Sequence, residues 1–127
     1  MVQFILYVSD QKKSSDFYEK VLGIKPSLDV PGMTEFLLEE NCKLGIMPEK
    51  GIAKILSDKV PHPTNGNGIP RCELYLYVDD TEEYINRAID SGAIEISPIQ
   101  KRNWGDTAGY VADFDGHIIA FALKNNR

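Results

Sequence analysis

Two stretches of the chain match each other, QFILYVSD at residues 3–10 and ELYLYVDD at residues 73–80. Each is a run of β-branched, aromatic and aliphatic residues that favours a strand, followed by Ser-Asp or Asp-Asp, which favours the start of a helix. Val8 corresponds to Val78 at an offset of 70 residues, and the other matched positions keep that offset. The repeat therefore predicts that one supersecondary unit occurs twice.

The first copy is predicted to contain a strand, a helix and three further strands. The opening strand covers 2–8, and apolar residues then recur at helical spacing over 11–22 until Gly23, a residue that commonly ends helices. Three short strand-like runs follow, of which the last two form a hairpin: 24–30, 34–39 and 42–47.

The second copy repeats this order after a proline-rich and glycine-rich connection. We predict a single domain over 1–127, made of module one at 1–48, a linker at 49–70 with a helical turn near 51–57, and module two at 71–127. The elements predicted for module two are a strand at 72–78, a helix at 81–91, and strands at 93–97, 107–113 and 117–123.

Composition excludes several classes of partner. Hydrophobic residues make up 43% and charged residues 26%, which is typical of a globular protein, and the net charge is -5. An acidic balance argues against nucleic acid and anionic membranes, and no apolar run is long enough to span a bilayer. With no signal-peptide pattern, we expect a cytoplasmic protein whose two cysteines, Cys42 and Cys72, are buried thiols in strands.

The second face of each first strand carries the candidate site. Strand alternation directs Val8 and its repeat toward the helix, and it directs the intervening residues to the opposite side. This opposite side carries a polar residue at the same position of both copies, with tyrosines beyond it: Gln3, Tyr7, Glu73, Tyr75 and Tyr77. These tyrosines either line a pocket for a planar ligand or pack on the sheet as ordinary aromatic residues.

Three segments in this order resemble the vicinal oxygen chelate superfamily, which includes glyoxalase I, the bleomycin-resistance proteins and the extradiol dioxygenases. They are FILYVSDQKKSSDFYEKVLGI at 4–24, ELYLYVDD at 73–80 and WGDTAGYVADFDGHIIAFAL at 104–123. The resemblance implies an α+β fold in which two βαβββ modules form a cupped mixed sheet. It also implies a homodimer, since small members usually dimerise and often share sites between chains.

The resemblance also implies where a metal would bind. Metal-dependent members place one ligand on the first strand and one on the last strand of each module. The first-strand positions here are Gln3 and Glu73, which offer oxygen, but the last-strand positions align with Gly45 and Ala120, which offer no ligand atom. A catalytic metal needs about three protein ligands. We therefore expect no metal cofactor, with a divalent ion such as zinc or nickel as the alternative.

Two functions remain open on this basis. The first is a glyoxalase- or bleomycin-resistance-like protein that binds a small molecule in a cleft of a homodimer without the usual four-ligand metal site. The alternative is a metal-dependent lyase or isomerase of the glyoxalase I type, similar to lactoylglutathione lyase. Glu73 is the candidate catalytic residue, as a base or a pocket carboxylate, although a salt bridge with Arg71 is an equal possibility.

Two further candidates keep alternative roles. Trp104 resembles the tryptophan in the loop before the seventh strand of bleomycin-resistance proteins, where it would serve as a ligand lid or a dimer contact. Gln3 would orient a ligand or hydrogen-bond to Glu73. The candidate ligand-binding residues are therefore Gln3, Tyr7, Glu73, Tyr75, Tyr77 and Trp104.

Overall fold

A computed structural model describes residues 1–124 and divides the chain into two compact units, Met1–Asn67 and Gly68–Arg127. Each unit holds a four-stranded mixed sheet, with helices in the first unit and one helix in the second. In each unit the order is one strand, one helix and three strands, so the predicted α+β class and the internal repeat are confirmed.

The first unit builds its sheet in the order β1-β4-β3-β2. Strand β1 is parallel to β4, and the other neighbouring pairs are antiparallel. The elements are β1 (Val2–Val8), α1 (Gln11–Leu22), β2 (Leu28–Val30), β3 (Met33–Glu39), β4 (Cys42–Pro48) and α2 (Glu49–Leu56), followed by 3₁₀ turns at Ser57–Lys59 and Pro63–Gly66.

Helix α1 begins and ends where the sequence indicates. The Asp10 carboxylate accepts a hydrogen bond from the Lys13 backbone N–H at 3.0 Å, and Gly23 ends the helix with φ 72°. Its buried side chains are Ser14, Ser15, Phe17, Tyr18 and Val21. The helical turn expected near 51–57 is the eight-residue helix α2, which buries Ile52.

The second unit repeats this topology in the order β5-β8-β7-β6, with β5 parallel to β8. Its elements are β5 (Glu73–Tyr77), α3 (Thr81–Asp90), β6 (Ile94–Lys101), β7 (Thr107–Ala112) and β8 (Ile118–Leu123). The Asp80 carboxylate caps α3 by accepting from the Glu83 N–H at 3.1 Å. Strand β6 extends four residues beyond the predicted end at 97.

One face of each sheet forms the core of its unit, and this places the candidate site on the other face. The fully buried side chains of the first sheet include Val8, Phe36, Leu44 and Ile46, and those of the second include Val111, Ile119 and Phe121. Alternation then leaves Gln3, Glu73 and the tyrosines of β1 and β5 on the opposite faces, as the sequence predicts.

The prediction of two buried cysteines is wrong. Cys72 is exposed because β5 begins one residue later, and Cys42 is only partly buried at the start of β4. Within the described residues, no helix is both long and apolar enough to cross a membrane.

Candidate functional site

The first unit uses Gln3 in a polar network within its own sheet. The Gln3 amide Nε2 donates to Glu35 Oε2 at 2.9 Å, and Lys43 Nζ donates to Glu35 Oε1 at 3.3 Å. The hydrogen bond from Gln3 and the Lys43 ammonium hold the pKa of the Glu35 carboxyl below its usual value, against the opposing effect of burial. Glu35, which sequence reasoning did not select, is therefore the partner of Gln3.

Gly45 lets this network cross the sheet. Gln3 lies on β1 and Glu35 on β3, while Gly45 lies on β4 between them, in register with Ile5 and Glu35. A Cβ at Gly45 would lie 2.7 Å from Gln3 Nε2 and 3.1 Å from the Ile5 side chain. A side chain at this position would therefore require the Gln3 amide to shift from its place beside Glu35.

The second unit gathers three predicted site residues around a buried carboxylate. The hydroxyls of Tyr75 and Tyr77 both donate to Asp106 Oδ2, at 2.8 and 3.0 Å. Trp104 Nε1 donates to the Tyr75 hydroxyl oxygen at 2.9 Å. The two tyrosine rings meet edge to face with centroids 5.3 Å apart, and Trp104 lies 6.5 Å from Tyr75. We call the surface formed by Tyr75, Tyr77, Trp104 and Tyr110 the aromatic face.

Asp106 is a second residue of the candidate site that sequence reasoning missed. It is fully buried just before β7, and its backbone carbonyl accepts from the Arg102 N–H at 2.7 Å, which closes the loop that carries Trp104. Its tyrosine partners lie 29 and 31 residues earlier in the chain. The sequence signal for this acceptor is the two-residue spacing of Tyr75 and Tyr77, which places both hydroxyls on one face of the strand.

Two tyrosine hydroxyls of the aromatic face, those of Tyr75 and Tyr110, are held in their protonated form. Burial, opposed by the Trp104 hydrogen bond and reinforced by Asp106, raises the pKa of Tyr75 to about 12. Burial also raises the pKa of Tyr110, and the negative charge of Glu73 adds to that effect. Near neutral pH both phenols are therefore neutral groups.

Glu73 lies on the same strand face as Tyr75 and Tyr77, and it is exposed. Its charge acts on Tyr110, which lies two strands away in the same sheet. No ion pair joins Glu73 to Arg71 among the described residues. Glu73 therefore lies on the candidate face without an ion pair to Arg71, and its role as a pocket carboxylate stays a prediction.

Two cations border the aromatic face. The Arg102 guanidinium lies 5.0 Å from the centre of the Tyr110 ring, and the Lys124 ammonium lies 5.9 Å from the centre of the Tyr77 ring. Arg102 is fixed through its own hydrogen bonds to the Ala108 carbonyl, the Pro98 carbonyl and the Ser97 hydroxyl, at distances of 2.7–3.1 Å. Arg102 is therefore an anchored structural residue.

The remaining predicted residue, Tyr7, lies in the first unit on the β1 face that carries Gln3, with a partly exposed side chain. A separate cluster lies in the β7–β8 turn, where Asp113 accepts from the backbone N–H of Asp115 and of His117 and contacts the His117 ring at 2.9 Å. These three side chains have metal-ligand chemistry, but their contacts stabilise the turn.

Comparison with known proteins agrees with this architecture. The model of the Glyoxalase-like domain matches residues 1–123. The chain belongs to the glyoxalase-like domain family. This confirms the resemblance to the vicinal oxygen chelate superfamily.

Individual relatives share limited sequence identity with this glyoxalase-like chain. An uncharacterised protein of Mycobacterium bovis is 30% identical over 120 residues, which cover 88% of this chain and 75% of that protein. A glyoxalase-related enzyme from Fulvimarina pelagi superimposes with a TM-score of 0.81 at 22% identity, over 98% of this chain and 87% of that one. A glyoxalase/bleomycin resistance protein/dioxygenase from Nocardioides gives 0.75 at 18% identity, over 98% and 83%. These structural likenesses show the shared fold.

The metal site implied by the family does not fit the side chains of this chain. Gly45 has no ligand atom and no room for one beside Gln3, whose amide is bound to Glu35. Ala120 is fully buried in β8, in register with Tyr75 and Tyr110, and also lacks a ligand atom. Among the four implied positions, Glu73 alone has an oxygen donor that is exposed.

The Gly45→Ala substitution tests the crossing network. We expect it to lower the free energy of unfolding by about 1–3 kcal/mol, because the new methyl group displaces the Gln3 amide from Glu35. Gly51→Ala is the matched control, since a Cβ there meets only the Met47 methyl at 4.0 Å within α2. The control should be neutral or stabilising by up to about 1 kcal/mol in urea denaturation.

A Gln3→Ala background distinguishes the proposed crowding from a general effect of the substitution. Once the amide is absent, Gly45→Ala should cost clearly less than it does in the wild type. Equal costs in the two backgrounds would show that Gln3 does not determine the small residue at position 45.

The raised pKa of Tyr75 predicts that its phenol loses its proton only at high pH. Subtracting the ultraviolet titration of Tyr75→Phe from that of the wild type should leave one ionisation near pH 12, with circular dichroism reporting that the fold persists. Since the folded pKa lies above the unfolded value of 10.0, the stability contribution of Tyr75 should be present below pH 10 and decline as pH rises toward 12. A Tyr75 ionisation near the ordinary value of 10.0 would contradict the burial of this hydroxyl.

Proposed function

We propose that this glyoxalase-like protein binds a small planar or amphipathic molecule on the aromatic face of the second unit, without a divalent metal. The observation that carries the proposal is the joint hydrogen bonding of Tyr75 and Tyr77 to the buried Asp106. This arrangement fixes two aromatic rings from beneath, while one of them remains open to solvent.

The exposure of the rings supports binding. Tyr77 is 52% exposed and Trp104 is 49% exposed, although both side chains are fixed by hydrogen bonds. Large aromatic side chains that are both exposed and rigid are typical of recognition surfaces, because a ligand covers apolar area without ordering them further. Ordinary packing of these tyrosines would have left little ring surface accessible.

The side chains at the implied metal positions support a metal-independent site. Since positions 45 and 120 carry no ligand atom, a glyoxalase I type of lyase would lack two of the donors that its metal requires. Glu73 stays the candidate acid–base group if this chain has catalytic activity. The homodimer implied by the resemblance and the cytoplasmic location expected from the sequence stay predictions.

The chain contains a single tryptophan, so Trp104 reports on the aromatic face directly. We would record the Trp104 indole N–H resonance of the metal-stripped protein, in the presence of a chelator, against a library of small aromatic compounds. We expect members of the library to shift this resonance in a saturable manner, with fluorescence of Trp104 changing in parallel.

Tyr77→Leu should weaken the binding of these compounds by about tenfold, because it removes a half-exposed ring that a ligand would cover. The matched control is Phe4→Leu, which truncates an exposed aromatic side chain on the first unit and should leave binding unchanged. Binding that requires added divalent metal, or a stoichiometric metal that survives dialysis, would contradict the proposal.

A further inference from the structure

We infer that the ligand of the aromatic face is an organic cation, such as a substituted ammonium group attached to an apolar or aromatic body. The inference rests on the proposed function and specifies the chemical class of its ligand. It follows from the hydrogen-bond donors, the charges and the ring contacts of the second unit.

Three of the four side chains of the aromatic face direct their hydrogen-bond donors inward. The single proton of each tyrosine hydroxyl is donated to Asp106, and the indole N–H of Trp104 is donated to the Tyr75 oxygen. A hydroxyl that donates its proton can offer only an oxygen lone pair to a further partner. These three side chains therefore present acceptor oxygens and ring surfaces to a ligand.

The one guanidinium next to the face is also used within the protein. Arg102 donates to two backbone carbonyls and to the Ser97 hydroxyl while it covers the Tyr110 ring. These contacts use its Nε and Nη2 groups, so a bidentate pair with a carboxylate or phosphate would have to break them. The arrangement therefore disfavours bidentate binding of an anion by Arg102.

The negative charges lie where a cation would need them. Asp106 is buried beneath the two tyrosine hydroxyls, and Glu73 is exposed on the same strand face two residues before Tyr75. A carboxylate beneath the phenols also makes them electron-rich, which strengthens the attraction of a cation to the ring. Two carboxylates thus flank rings that are accessible from solvent.

The chain places a cation of its own on this surface. The Lys124 ammonium lies 5.9 Å from the centre of the Tyr77 ring, within the distance at which cations and aromatic rings attract. Lys124 follows the last residue of β8, so it is tethered at the border of the face. We take it as an intramolecular competitor that an incoming cation displaces.

Three probes, of which the first two are isosteric, separate charge from shape. They are meta-hydroxyphenyl-trimethylammonium, its neutral analogue meta-tert-butylphenol, and the anion meta-tert-butylbenzoate, each titrated against the Trp104 indole resonance at neutral pH. We expect the cation to bind about tenfold more tightly than the neutral probe, and the anion most weakly. A purely apolar surface would show the reverse order for the first two, because the neutral probe is the more hydrophobic.

Charge variants test which side chains determine the preference for the cationic probe. Lys124→Gln should tighten binding of the cationic probe about threefold and leave the neutral probe unchanged, while Glu73→Gln should weaken the cationic probe about threefold. Lys25→Gln makes the same change of charge as Lys124→Gln at an exposed position of the first unit, and it should alter the binding of neither probe.

Each outcome has a distinct meaning. If the neutral or anionic probe binds as tightly as the cation in the wild type and in Lys124→Gln, the cationic ligand is refuted and the binding face stands. If none of the three probes shifts the Trp104 resonance at saturating concentration, the proposed function fails together with this inference.

Discussion

The buried carboxylate of Asp106 is the interaction on which the second unit depends. Burying an ionised carboxylate is unfavourable unless hydrogen bonds compensate for its lost hydration, and here two phenol hydroxyls contribute that compensation. Because the tyrosines lie on β5 and Asp106 precedes β7, the same bonds connect the edge strand to the loop that carries Trp104. One carboxylate therefore sets the positions of three aromatic rings.

Each unit connects side chains of separate chain segments through a buried or partly buried carboxylate, but the residues involved differ between the units. In the first, Glu35 accepts from the Gln3 amide and the Lys43 ammonium across Gly45. In the second unit, the position equivalent to Gly45 is Ala120, which is in register with Tyr75 on β5 and Tyr110 on β7. In the first unit, the small residue at position 45 leaves room for side chains of the two flanking strands to meet above it. In the second unit, the hydroxyls of Tyr75 and Tyr77 instead reach Asp106, which lies just before β7.

Sequence reasoning reached the fold because its signals are local. Strand patterns and the helix caps at Asp10 and Asp80 each depend on a few neighbouring residues, and the structure agrees with them. The 70-residue repeat was visible because it compares two such local patterns. Sequence reasoning selected the tyrosines and Trp104 but missed Glu35 and Asp106, because their partners lie 29 to 32 residues away and strand register brings them together. The exposure of Cys72 escaped it for a smaller reason, since β5 starts one residue later than the apolar run suggests.

The same contacts constrain any chemistry on the aromatic face. A general base works best when its pKa lies near the operating pH, and Tyr75, at about 12, is too weak an acid to be deprotonated there. Asp106 is fully buried and already accepts two hydroxyl protons as hydrogen bonds, so it is poorly placed to reach a substrate. Proton transfer on this surface would therefore fall to Glu73, the exposed carboxylate. The residue that would attract a cationic ligand is thus also the residue that any catalytic activity of this face would require.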